Sequence, residues 1–370
     1  MKREVIMKNI VVQDIIGIMN KAAPEGLAMQ WDNPGLQIGE RTWKVKKILL
    51  TLDVTKGAIE KAIHEKADCI VSHHPLIFKP IKSINDPNLL SLIRHKISVY
   101  SAHTNLDVAK NGVNYTLAGK LGLTDLENIT NETGSEWLHV TVFVPLQHSV
   151  RVRQIIAEAG GGLIGNYDQC CSENQVEGHF RPMEGSDPVL GECGKLQRVD
   201  EVKLQFFCES FRFNDIIQMI KSVHFYETPV YYAHAVKTEN STYGLGLIGK
   251  IPFTKSLKSF AADVKEKLNA PRVSLWLADK KTSDKVKTVA VCGGAGGSLL
   301  LQLNGRADVF ITGDINYHAM LESKIPIIDA GHFWTEYPVL NYLETLLKPT
   351  GAEIVKFTAQ EHEINKQICV

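Results

Sequence analysis

Five residues able to hold a metal ion lie just after apolar, strand-like runs at two distant places in the chain. Ala67-Asp68-Cys69-Ile70-Val71-Ser72 leads into His73 and His74, and Ser98-Val99-Tyr100-Ser101-Ala102 leads into a segment that reaches Asp107. Far downstream, Ile325-Pro326-Ile327-Ile328-Asp329-Ala330-Gly331 leads into His332 and Glu336. Apolar runs of this length read as strands buried on both faces, and in open α/β sheets ligands gather beyond the carboxyl ends of such strands. Three such strand ends point to one site. His332 and Glu336 are spaced i, i+4, which puts them on one face of a helix start. His73 and His74 can converge at a strand-to-loop turn. Three imidazoles and two carboxylates are too few for a calcium cage. They suit two borderline ions such as zinc, iron or manganese, with a carboxylate bridging and water completing each shell. The chemistry of such a pair is attack by an activated water on a bond whose developing charge the ions clamp.

Weaker signals surround this set. His103, Asp314 and His318 fall at equivalent strand ends and are expected to orient the ligands. Gly293-Gly294-Ala295-Gly296-Gly297-Ser298 joins a strand to a helix, where backbone N–H groups can cradle a phosphate. It lacks the lysine of a phosphate-binding loop, so a tight turn is the preferred reading. Trp31-Asp32-Asn33-Pro34-Gly35-Leu36 reads as a turn with an aromatic anchor.

The elements that must position these residues alternate. From Lys47 the pattern predicts strand (47–52), helix (57–65), strand (68–72), a Pro- and Asn-containing loop, helix and strand to Ala102. From Thr288 it predicts strand (288–292), helix (298–303), strand (308–312), helix (317–323), strand (326–330) and a last helix from Thr335. This is the signature of βαβ units and a mostly parallel α/β sheet. The two stretches also resemble each other: Ala67 to His74 can be laid on Ala307 to Asp314 without a gap, which puts Asp53 on Gly293. An internal duplication is expected. Between them, residues 137–237 read as β-α-β-β-α-β, a ferredoxin-like order with a long Gly/Pro/Glu-rich hairpin loop over 181–194. The expected division is 1–135 and 238–370 as two halves of one metal-binding α/β domain, with 136–237 inserted.

Composition fits that division. The 370 residues are 44% apolar and 22% charged, as in a globular protein with a substantial core. Lys plus Arg equals Asp plus Glu at 41 each, so net charge favours neither nucleic acid nor an anionic membrane. No segment approaches the ~20 apolar residues of a membrane helix, and no secretory core follows the first residues. The expected location is the cytoplasm. Seven scattered cysteines form neither a disulfide ladder nor a paired zinc motif, and Cys170-Cys171 reads as two reduced thiols.

Several motifs together resemble one family. Gln30 to Gly39, Ser72-His73-His74-Pro75-Leu76-Ile77-Phe78, His103-Thr104-Asn105-Leu106-Asp107, Thr312 to His318 and Gly331-His332-Phe333-Trp334-Thr335-Glu336 are similar to the signatures of the GTP cyclohydrolase 1 type 2 homologue family, whose eukaryotic members are called Ngg-one-interacting factor 3-like. The resemblance implies a duplicated α/β domain, a ring-shaped homohexamer and a dinuclear site on His73, His74, Asp107, His332 and Glu336. It also implies two divalent ions per chain, zinc first and iron or manganese as alternatives, and a metal-dependent hydrolase acting on a small molecule such as a nucleotide. A metal-binding or metal-delivery protein without turnover, or a regulatory interaction protein, is the alternative. Val223-His224-Phe225-Tyr226-Glu227-Thr228-Pro229-Val230 resembles a motif of the PII and CutA-like superfamily, which implies that the insertion is PII-like and makes His224 and Glu227 candidates for a small ligand or a structural role.

Overall fold

The computed structural model describes residues 10–237 and 243–366. The chain forms two compact units, 1–134 with 243–370, and 135–242. The strands are, in chain order, β1 (Gly35–Ile38), β2 (Lys47–Thr51), β3 (Cys69–Ser72), β4 (Ser98–Ser101) and β5 (Thr124–Thr130) in the first segment. The intervening unit holds β6 (Trp137–Pro145), β7 (Cys171–Phe180), β8 (Gln197–Glu209) and β9 (Tyr231–Val236). The last segment adds β10 (Leu245–Ser256), β11 (Ser274–Trp276), β12 (Lys285–Ala295), β13 (Val309–Gly313), β14 (Ile327–Asp329) and β15 (Glu353–Lys356).

One sheet of the larger unit has the order β1-β4-β3-β2-β15, parallel except for β1. Its three central strands, β2, β3 and β4, are buried at nearly every position because both faces are covered. Ile48, Leu50, Cys69, Val71 and Tyr100 pack with Val12, Ile15 and Met19 of the helix Val12–Ala22 and with Val339, Leu340 and Leu343 of the helix Val339–Leu347. The alternate residues Leu49, Ile70 and Val99 pack with Ala58, Ile59 and Leu92 of the helices Lys56–His64 and Pro87–Arg94. Each fully buried aliphatic side chain contributes roughly 1.5–3 kcal/mol. Both of the latter helices start where the sequence supplies a cap: Thr55 accepts from the Ala58 N–H, and Asp86 accepts from Asn88 and Leu89 with Pro87 in the first turn.

The second sheet has the order β11-β14-β13-β12-β10-β5. Only β12, β13 and β14 run parallel, whereas β11, β10 and β5 pair antiparallel, so the expectation of a mostly parallel sheet holds for the first sheet and fails here. The reason lies at the splice. Thr130 of β5 is the register partner of Leu245 of β10, so the intervening unit stands where a hairpin turn would otherwise join two adjacent antiparallel strands.

The two sheets share local hydrogen bonding. Asp68 Oδ2 accepts the N–H groups of Lys46 and Lys47 at the start of β2, and Asp308 Oδ2 accepts those of Lys287 and Thr288 in β12. The Ala102 N–H donates to Ser72 O after β4, as the Ala330 N–H donates to Thr312 O after β14. A five-residue helix follows in each case, Thr104–Val108 and His332–Glu336. Ile48 pairs with Cys69 and Val289 with Val309, but the register of β12 on β13 shifts between Val291 and Ala295, so strand pairing assigns no counterpart to Asp53. The helix expected from Thr335 starts at His332 instead, and a separate one follows from Val339.

The smaller unit runs β6, helix Ser149–Glu158, β7, β8, helix Ser210–Val223, β9. Its sheet is antiparallel, in the order β7-β8-β6-β9. The helices cover one face through Val152, Ile156, Ile216 and Ile220, which meet Val140, Val142, Leu204 and Phe206.

Candidate metal centre

All five ligand candidates come from the ends of parallel strands. Beyond β3 the chain keeps pairing with β2, with the His73 N–H donating to Thr51 O and the His74 N–H to Leu52 O. The Ser72 hydroxyl then donates to His74 O and turns the chain, so the two rings converge with centroids 4.8 Å apart instead of pointing to opposite faces. Asp107 sits on the short helix after β4, and His332 and Glu336 on the one after β14.

Glu336 lies at the centre. Its Oε1 is 3.0 Å from His332 Nε2 and 3.6 Å from His73 Nε2, and its Oε2 is 3.1 Å from His74 Nε2. Asp107 Oδ1 is 3.6 Å from His73 Nε2. Donor atoms around a tetrahedral zinc, each about 2.0–2.2 Å from the ion, stand roughly 3.3 Å from one another, so this spacing fits a shared ion. His73 Nε2, Asp107 Oδ1 and Glu336 Oε2 are buried without a hydrogen-bond partner. Each such orphan costs about 1–3 kcal/mol unless something binds it.

Each imidazole is aimed by its other nitrogen. The Nδ1–H of His73 donates to Ala102 O, that of His74 to Asp53, that of His332 to Asp314 and that of His103 to Asp32. This turns Nε2 of each ring inward, where it offers a lone pair once deprotonated, the arrangement that metal-ligating histidines use. Asp53 also accepts from His362 Nε2.

The charges couple tightly. Burial draws the imidazoles toward their neutral form, but the facing carboxylates outweigh it: Asp53 and Glu336 raise His74 to about 10, and Glu336 and Asp314 raise His332 to about 9. His73 is raised too, by Glu336 and Asp107 against its complete burial. Burial alone would lift Glu336, yet the three histidines hold it well below the usual carboxylate range. Burial and the neighbouring Glu336 charge hold Asp107 above that range. Asp53 is buried, but the N–H groups of His362 and His74 keep it low. Cys292 lies nearby, and its thiol is driven well up by burial, so it stays protonated.

Gly294 makes the approach of Glu336 feasible. Its φ is +66°, and a Cβ there would stand 2.3 Å from Glu336 Oε1 and 3.1 Å from His332 Nε2. Three N–H groups of the glycine run are engaged within the fold, in keeping with the tight-turn reading: Gly293 donates to Asn114 Oδ1, Gly294 to Thr335 Oγ1 and Gly296 to Thr312 Oγ1.

His73, His74 and His103 form one group that could hold an ion, so His103 stands among the candidate ligands as well as beside them. Asp314 does orient His332, as expected. His318 is exposed, and its ring meets Tyr317. Asp53 and His362 carried no signal, since a lone acid after a strand and a histidine near the end of the chain look like surface residues. In the smaller unit His224 donates from Nε2 to Phe143 O and accepts the Tyr226 N–H at Nδ1, while Glu227 accepts the Asp187 N–H; both brace loops.

Comparison with known proteins places this arrangement. Residues 10–366 match the model of the DUF34/NIF3 (NGG1p interacting factor 3) family. A Staphylococcus aureus (strain MSSA476) protein named GTP cyclohydrolase 1 type 2 homolog is 36% identical over 344 residues, 91% of this chain and 92% of that one. A protein of the same name from Halalkalibacterium halodurans is 35% identical over 329 residues, 86% and 88% of the two chains. The crystal structure of a Bacillus cereus protein related to NIF3 superposes with a TM-score of 0.79 at 34% identity, covering 96% of this chain and 98% of that one. Reduced HcgD from Methanocaldococcus jannaschii shares the fold, with a TM-score of 0.57 at 22% identity over 95% and 98% of the chains. With the family model spanning nearly the whole described chain, and close relatives over most of its length, this protein belongs to the DUF34/NIF3 family.

Proposed function

We propose that the chain is a metal-dependent hydrolase whose centre holds two divalent ions, zinc first and iron or manganese as alternatives. His73 and Asp107 would hold one, His74 and His332 the other, with Glu336 between them. The observation that carries this reading is the set of three buried, unpartnered atoms, His73 Nε2, Asp107 Oδ1 and Glu336 Oε2, inside one cluster. When bound, such ions activate water and stabilise developing negative charge. The residues supply the rest: Asp53, Asp314 and the Ala102 carbonyl keep the Nε2 lone pairs aimed inward, and Gly294 leaves room for the Glu336 carboxylate. The relatives' name suggests a nucleotide such as GTP as the substrate. Turnover of a nucleotide panel by metal-loaded protein, with Glu336→Ala as the control, tests the reading; stoichiometric metal with no turnover would favour metal handling instead.

Two architectural readings accompany it. The shared contacts of Asp68 and Asp308 and the short helices after β4 and β14 support an internal duplication. The β-α-β-β-α-β order and the β7-β8-β6-β9 sheet support a ferredoxin-like, PII/CutA-like insertion over 136–237. Deleting it should leave a folded, metal-binding remainder; failure of that variant to fold would count against a separable insertion. The homohexameric ring rests on family resemblance, and a monomeric mass by light scattering would remove it.

A further inference from the structure

Beside the histidines the chain holds two large aromatic rings out in solvent. Trp31 is 61% exposed and Phe78 45% exposed. Their centroids are 5.9 Å apart at 57°, and they lie 6.1 and 6.4 Å from the His103 ring. His103 in turn touches His73 at 5.3 Å and His74 at 5.5 Å. The rings therefore flank the mouth of the candidate metal centre. Exposed aromatics at such a place mark a binding surface more often than a packing accident.

Their position is heavily braced. Asp32, next to Trp31, accepts the His103 Nδ1–H on one oxygen and both the N–H and the hydroxyl of Thr104 on the other. The Met29 N–H donates to Thr104 Oγ1, so the turn is tied to the short helix after β4 on both sides of Trp31. Asn33 Nδ2 donates to Ile77 O at 2.6 Å, the Ile77 N–H donates to Gln37 Oε1 at 2.8 Å, and Gln37 Nε2 donates to Asn33 O. The turn thereby grips both backbone groups of the residue before Phe78. This accounts for the polar residues of the motif: their side chains hold two apolar rings at a fixed angle beside His103.

We propose that Trp31 and Phe78 form a stacking wall for a flat heteroaromatic ring carried by the molecule acted on at the metal centre. This rests on the hydrolase reading and narrows it to substrates with such a ring. Among the described residues the rings meet each other and His103 and leave much of their surface to solvent, the condition for accepting a further ring. Stacking tolerates different bases because each offers a π face, so the wall selects ring-bearing over ring-free molecules rather than one base over another.

The test uses the full-length, zinc-loaded protein and two probes that differ by the base alone, guanosine monophosphate and ribose 5-phosphate, titrated by calorimetry. Wild type should bind the nucleotide about tenfold or more tightly than the sugar phosphate. Trp31→Ala and Phe78→Ala should each remove most of that difference with zinc content unchanged, and Trp31→Phe should retain it. Equal affinity for the two probes, absence of nucleotide binding, or an equal loss for both probes in Trp31→Ala would overturn the proposal. A Trp31→Ala change that alters only the oligomeric mass would assign the wall to a second copy and overturn it likewise. Failure of the hydrolase reading would look different, as base-dependent binding that needs Trp31 but leads to no turnover.

Discussion

The ends of β3 and β4 and the ends of β13 and β14 are built alike and furnished differently. After β3 the chain presents His73 and His74, whereas the positions matched to them in sequence are Gly313, the last residue of β13, and Asp314. The first sheet contributes a side chain that is wholly buried, His73, fixed by a backbone carbonyl. The second contributes His332, whose side chain is 35% exposed and is fixed by the 61% exposed Asp314. Asp53, just after β2, and Gly294, near the end of β12, do opposite things: the acid props His74, and the glycine vacates space for Glu336. Similar strand ends thus carry complementary chemistry in the residues at and just beyond them.

The largest effect should come from the residue that joins the two ends. Glu336→Ala, or crowding the carboxylate with Gly294→Ala, should remove metal and turnover together, as read by elemental analysis and activity on the same samples. Full metal in Gly294→Ala would mean that Glu336 does not need the position seen here.

The props should differ in weight. Asp53→Ala should weaken metal binding by about 10 to 100-fold. Asp314→Ala, acting through an exposed carboxylate, should fall at or below the low end of that range. Competition with a chelating dye measures both, and equal losses would erase the distinction between the ends.

A pH effect comes next. In metal-free protein His74 and His332 are raised from 6.5 to about 10 and about 9. Raised imidazoles stabilise the fold fully below their unfolded value and lose that contribution as pH rises through the folded value. The Tm of chelator-treated protein should therefore fall between about pH 6.5 and 10, while metal affinity rises over the same interval because the ligands must be deprotonated. Calorimetric scans with and without zinc check both slopes; a flat metal-free profile would show that these histidines are not paired with the carboxylates.

The smallest effect belongs to His318→Ala. The sequence pattern marks His318 as a ligand-orienting residue, but its exposed position beside Tyr317 predicts unchanged metal content and activity.

What the sequence disclosed and what it hid follow from burial. Strands β2, β3, β4, β12, β13 and β14 are covered on both faces, so they read as apolar runs and their ends could be found. The edge strands β1, β11 and β15 are only partly buried and mix polar with apolar residues, which leaves no clear period. The central five side chains were legible because they follow the buried strands directly. Asp53, Asp32 and His362 were not, because they act through contacts 21, 71 and 309 residues away in sequence.

The most direct test is to count metal in purified full-length protein by mass spectrometry of the native chain, beside Asp107→Ala. Two divalent ions per chain in the wild type, falling in Asp107→Ala, is the expected result. A single tightly bound ion that is indifferent to the loss of Asp107 would contradict a centre shared between the ends of the two sheets.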